Sequence, residues 1–104
     1  MQTTLQYFDG CPNWKATDAH LREFRAEGRI GADVEYQLID TIEAAEQHQF
    51  HGSPTVLIDG VDPFAAEDAP VGLACRVYQT ENGLAGSPSR RLLEEAIQRA
   101  QQGG

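Results

Sequence analysis

The chain has 104 residues, 16 of them acidic against 8 basic, for a formal charge of -8. That length fits a single domain over residues 1–104, and 40% hydrophobic with 23% charged residues is ordinary for a globular protein. The acidic excess is spread along the chain, which argues against a surface that tracks nucleic-acid phosphates or docks on an anionic membrane. Met1-Gln2-Thr3-Thr4-Leu5 has neither the basic nor the apolar region of a secretory signal, and no apolar run is long enough to span a bilayer. The expectation is a cytoplasmic protein, taken as a monomer. In that compartment two cysteines are expected to be reduced, and catalytic or metal-binding rather than structural.

Thr3 to Phe8 is rich in β-formers and predicts a strand buried on at least one face. It stops at Gly10, and Cys11-Pro12 opens an amphipathic stretch, which puts a thiol at a strand-to-helix junction. Cys11 is then expected at the helix N-cap with Pro12 in the first helical position, where unpaired N–H groups and the helix dipole favour the thiolate. The thiolate is the reactive form. From Trp14 to about Glu27, Trp14, Leu21 and Phe24 fall near helical spacing, and Asp18 with Arg22 forms an i,i+4 pair. Gly28 and Gly31 bracket the stop.

Val34 to Leu38 alternates and predicts a strand with one wet face or an edge position. Asp40 and Glu43 are spaced as a capping box for a short helix from Thr41 to about Phe50. Gly52-Ser53-Pro54 leads into Thr55-Val56-Leu57-Ile58, an apolar run that reads as a central strand, closed by the turn dipeptide Asp59-Gly60. Residues 61–74 hold Pro63, Pro70 and Gly72, with Glu67 and Asp68 as a solvated rim, and form a loop of a length that often serves function. Arg76 to Thr80 reads as a last strand, Asn82-Gly83 as a turn, and Ser87-Pro88 as the start of a closing helix whose apolar face carries Leu92, Leu93, Ala96, Ile97 and Ala100. The predicted order is β-α-β-α-β-β-α. This is an α/β fold with a mixed four-stranded sheet and helices on both faces, its first βαβ unit parallel and its last two strands antiparallel.

With Cys11-Pro12 after the first strand and Gly52-Ser53-Pro54-Thr55 opening the third, this order resembles the thioredoxin family over nearly the whole chain. The resemblance implies that Cys11 is the attacking cysteine and that Pro54 is a cis-proline facing it, shaping the groove and keeping metal off the thiol. It also implies that the Ser53 backbone is left free to pair with a polypeptide or thiol substrate, with no cofactor. Cys11-Pro12-Asn13-Trp14 departs from the family's Cys-x-x-Cys, because Trp14 stands where the resolving cysteine belongs. The tract from Asp59-Gly60 through Cys75-Arg76-Val77-Tyr78 is also similar to small bacterial thioredoxin-like proteins grouped with alkylmercury lyases, although no acidic proton donor of the lyase type is assignable.

Each candidate also has a plainer role. Cys11 could be a small inert core residue, but its place at a helix start favours a reactive thiol. Asp9 would oppose the thiolate if it pointed at the sulfur, and Lys15 would favour it electrostatically, an effect heavily screened for an exposed lysine. Cys75 is either a packed strand residue or a distant resolving thiol. The second role requires residues 61–74 to climb back toward Cys11, because disulfide Cα atoms lie roughly 4.4–6.8 Å apart. His51 is either exposed at a helix end or turned to Cys11 as an ion-pair partner or co-ligand. His20 and His48 read as surface residues, and Trp14 as a core or groove aromatic.

The leading expectation is an oxidoreductase in which Cys11 forms a mixed disulfide with a protein or glutathione-like substrate held near Pro12, Trp14, Ser53 and Pro54. Cys75 or an external thiol would resolve it. The alternative is a non-catalytic module that binds a protein partner or a soft metal such as mercury or copper(I).

Overall fold

The computed structural model describes residues 2–31, 33–65 and 70–102. Its elements run β1 (Thr3–Tyr7), α1 (Trp14–Ala26), β2 (Val34–Leu38), α2 (Ile42–His48), β3 (Thr55–Ile58), β4 (Tyr78–Thr80), β5 (Gly83–Ala85) and α3 (Arg90–Gln102). The architecture is mixed α/β, and none of the described helices is long and apolar enough to cross a membrane. Glu67 and Asp68, expected as a solvated rim, lie outside the described residues.

β1 is the centre of a three-stranded sheet ordered β2-β1-β3. It runs parallel to β2, with Leu5 opposite Tyr36, and antiparallel to β3, with Leu5 opposite Val56. The polar residues Thr3, Thr4 and Gln6 of β1 are nevertheless buried. Gln6 Nε2 donates to Gln37 Oε1 at 2.6 Å across to β2, which gives the amide nitrogen of this buried side chain a partner. β2 is an edge strand, which accounts for the partial exposure of Tyr36 and Leu38.

Strand side chains alternate between faces, and the two apolar clusters divide accordingly. Leu5, Val56 and Ile58 pack with Leu21 and Phe24 of α1 and Leu93, Ala96 and Ile97 of α3. Phe8 and Ile39, of opposite parity, join Ala45 of α2 and Phe50 in the second cluster. Arg90 of α3 reaches both Glu23 and Glu27 at α1, clasping the two helices over the first cluster.

The sequence signals for the helices hold, with shifted caps. α1 ends in a Schellman arrangement, in which Arg29 N–H donates to Phe24 C=O at 2.9 Å and Gly28 N–H to Arg25 C=O at 3.1 Å. Asp18 and Arg22 are paired at 3.1 Å as their spacing predicts. Thr41, not Asp40, caps α2, its hydroxyl accepting from Ala44 N–H at 3.0 Å. Ser89, not Ser87, caps α3 by accepting from Leu92 N–H at 3.2 Å.

The sheet differs from the expected four strands. Asp59 and Gly60 both have positive φ, 52° and 82°, the left-handed pair of a two-residue hairpin turn, and Val61 pairs back on Ile58. That antiparallel pairing stops after one bridge, because Asp62 turns its carboxylate onto Phe64 N–H and Pro63 has no N–H to extend a ladder. β3 is therefore an edge strand rather than the central one. The expected last strand also splits. Only Tyr78–Thr80 is extended and paired, and it forms a separate hairpin with β5, in which Thr80 faces Gly83 across Glu81-Asn82.

Leu93 is fully buried in the first cluster. Leu93→Ala is expected to lower stability by about 2–5 kcal/mol, measured as a shift in the urea midpoint at unchanged slope.

Candidate functional site

β1 delivers the chain to a tight turn in which Cys11 N–H donates to Phe8 C=O at 3.0 Å. Pro12 and Asn13 then form one further turn, with Lys15 N–H donating to Pro12 C=O at 3.1 Å, before α1 begins at Trp14. The N-cap is Asn13 rather than Cys11, and its side chain makes no capping hydrogen bond. The helix starts later than Pro12 suggests because the Phe8–Cys11 turn already uses the Cys11 amide and draws the residue inward. Cys11 has 0% exposure.

Ser53 ties two stretches of chain to this point. Its hydroxyl accepts from Phe8 N–H at 3.0 Å, its N–H donates to Ala74 C=O at 2.8 Å, and its C=O accepts from Arg76 N–H at 2.9 Å. The Ser53–Pro54 peptide bond is cis. The last two of those hydrogen bonds form a single parallel bridge between Ser53 and Cys75. Residues 70–74 thus lie at the Cys11 end, the condition under which Cys75 could reach it. The two cysteines are joined in a disulfide with Cα atoms 5.7 Å apart across a separation of 64 residues. Their expected reduced state is not the one found, and neither is a free Ser53 backbone. The Cys75 segment already occupies the Ser53 amide and carbonyl.

Gly52 permits this approach. Its φ of 116° is a conformation that L side chains rarely adopt, and an added Cβ would stand 3.0 Å from Arg76 Cβ and 3.1 Å from Ala74 O.

The segment is held from the other side by Arg76. Its guanidinium, 9% exposed, donates to Asp62 at 2.6 Å, to Thr55 Oγ1 at 3.1 Å and to the Phe64 carbonyl at 2.9 Å. It also lies 4.7 Å from the centroid of the Tyr78 ring. Tyr78 donates its hydroxyl to the Pro54 carbonyl, and burial pushes its phenol well above the ordinary tyrosine range.

Cys75 itself is exposed. It sits on the wall of a cleft of about 590 Å³ whose other lining residues include His51, Phe64, Val71, Val77, Tyr78 and Leu92. No family model, curated protein or solved structure matches the chain.

The candidate residues are distributed unevenly about this cleft. Cys11 and Cys75 are brought together against Ser53, and Pro54, next in sequence, is buried. Pro12 is exposed beside Cys11 but does not line the cleft. Trp14 is half-buried against the first cluster, its ring 4.7 Å from that of Tyr7. His51 lines the cleft on the Cys75 side, with Nδ1 3.2 Å from the Pro70 carbonyl oxygen. His48 is exposed, and His20 lies 3.4 Å from Glu23. Among the described residues, no group of three or more His, Cys, Asp or Glu could hold a metal ion.

Sequence reasoning missed Gly52, Asp62, Arg76 and Tyr78 as the frame of the site. A usable signal was Arg76 itself, a lone cation between Cys75 and the apolar Val77-Tyr78, for which burial would demand a carboxylate such as Asp62.

Two outcomes test this frame. Asp62→Ala leaves the buried guanidinium without its carboxylate and is expected to cost about 3–5 kcal/mol in urea unfolding of the oxidised protein, with faster reduction of the disulfide by dithiothreitol. For Tyr78 the folded pKa is raised, so its contribution is complete below the unfolded value of about 10 and is lost as pH rises beyond it. Stability of the native protein should therefore fall above about pH 10. Tyr78→Phe should flatten that alkaline slope while costing about 1 kcal/mol at neutral pH.

Proposed function

We propose that this chain is a thioredoxin-like thiol–disulfide oxidoreductase whose redox pair is Cys11 and Cys75. The observation that carries the reading is the meeting of the two cysteines, 64 residues apart in sequence and 5.7 Å apart at Cα, with Cys75 on the wall of an open cleft and Cys11 buried beside it. A second thiol in that place does what the missing fourth residue of Cys11-Pro12-Asn13-Trp14 would otherwise do. The parallel β1–β2 unit with its intervening helix, Cys11-Pro12 after β1 and Ser53-Pro54 before β3 support the family relationship. The four-stranded order of that family belongs to the same proposal, with residues 74–76 at the position beside β3.

In the proposed cycle the reduced pair meets a substrate disulfide. One protein thiolate attacks a substrate sulfur, forms a mixed disulfide and expels the first substrate thiolate. The other protein thiolate then attacks the protein sulfur of that mixed disulfide, closing the Cys11–Cys75 bond and expelling the second substrate thiolate. Two electrons pass to the substrate, and the two protons of the protein thiols end on its released sulfurs. A thiol reductant of the glutathione class, used twice, returns the pair to the reduced state.

The cleft favours an uncharged, apolar disulfide-bearing segment. Its lining is mostly apolar, and Arg76 is already engaged by Asp62, Thr55 and Phe64. The same two sulfurs, when reduced, would also satisfy a soft two-coordinate ion such as mercury, so their proximity favours a metal-binding module as the second reading.

The test is turnover of 2-hydroxyethyl disulfide with glutathione as reductant. Catalysis by the native protein, lost in the Cys11→Ser/Cys75→Ser double variant with unchanged far-ultraviolet circular dichroism, is expected. Turnover that survives both substitutions removes the pair from the chemistry. Stoichiometric mercury uptake without turnover selects the binding module.

A further inference from the structure

We infer that Cys75, and not Cys11, is the sulfur that meets the substrate, and that Cys11 is the thiol that resolves the mixed disulfide, an assignment that rests on the oxidoreductase reading and gives its two steps an order. Exchange at a disulfide depends on access to the sulfur under attack. The two cysteine residues differ sharply in exposure. Cys11 has 0% exposure, and its Sγ lies 3.9 Å from the Ser53 carbonyl oxygen, beneath the Ser53–Cys75 bridge. Cys75 is exposed on the cleft wall, and its neighbours Ala74 and Val77 are exposed with it.

Residues 74–76 hold Cys75 in place for this role. The Ser53 hydrogen bonds fix the backbone on both sides of Cys75, and the buried Arg76–Asp62 pair fixes the next side chain. Cys75 therefore presents its sulfur from an anchored backbone. Cys11 sits behind it, two residues before an N-cap whose side chain makes no hydrogen bond, so the positive end of α1 is not offset there by a capping group. When an external thiol opens the bond at Cys75, Cys11 is the sulfur that leaves, and it stays beside Cys75 near the uncapped start of α1.

The steps balance as follows. In the reducing direction Cys75 thiolate attacks R–S–S–R′, forming Cys75–S–S–R and releasing R′–S⁻. Cys11 thiolate then attacks the Cys75 sulfur, forming the Cys11–Cys75 bond and releasing R–S⁻, and the two protein thiol protons pass through water to the released thiolates. Re-reduction by an external thiol runs the same path backwards, opening first at Cys75.

Native protein reduced with dithiothreitol, freed of reductant and treated with less than one equivalent of iodoacetamide should carry the mass shift on the Cys75 peptide first. In parallel, Cys11→Ser should trap one 2-mercaptoethanol adduct at Cys75 from 2-hydroxyethyl disulfide, and Cys75→Ser should trap it far more slowly. Cys11 labelled first, or both at one rate, would overturn the assignment, and the native-protein measurement decides this even if a variant does not fold. Cys75 labelled first without turnover of the disulfide would remove the oxidoreductase reading and leave the difference in access standing.

Discussion

The peptide unit of Ser53 anchors the site, and the architecture around the disulfide depends on it. Its hydroxyl takes the end of β1, while its amide and carbonyl take residues on either side of Cys75. Ser53 is fully buried, so each of these groups would carry a desolvation cost of roughly 1–3 kcal/mol if left unpaired. The pairing therefore selects one placement of residues 74–76, and with it the position of Cys75. Gly52 supplies the close approach, while Arg76 and Asp62 hold the far side.

Much of the framework was legible because it follows from local patterns. The spacing of Leu21 and Phe24, the Asp18–Arg22 pair, the edge strand β2 and the Asp59-Gly60 turn each act within a few residues, and each appears where the sequence puts it. The order of strands beyond β3 was not legible, because it depends on where a chain with little periodicity goes after Val61. A side-chain cap by Asp62, the fixed ring of Pro63 and two backbone hydrogen bonds to Ser53 decide that course. None of them leaves a repeating signal. The proximity of Cys11 and Cys75 could be stated only as a condition on that segment, and the burial of Arg76 was hidden because its counter-charge lies 14 residues away.

The disulfide also couples redox state to stability. Bridging residues separated by 64 positions removes about 4 kcal/mol of conformational freedom from the unfolded chain in the loop-entropy view. In the proposed cycle the protein is thus more stable oxidised than reduced. The Ser53 bridge and the Arg76 clasp then carry the task of keeping Cys75 beside Cys11 once the bond is open.

The same covalent closure has a mechanical side. The 64 residue steps from one cysteine to the other cannot be drawn out while the bond is intact, which withholds roughly 210–230 Å of contour length at 3.3–3.6 Å per residue. Any pore or motor that unravels the chain from one end meets a closed ring at Cys11 or Cys75 rather than a single strand. Reduction turns that ring into a thread.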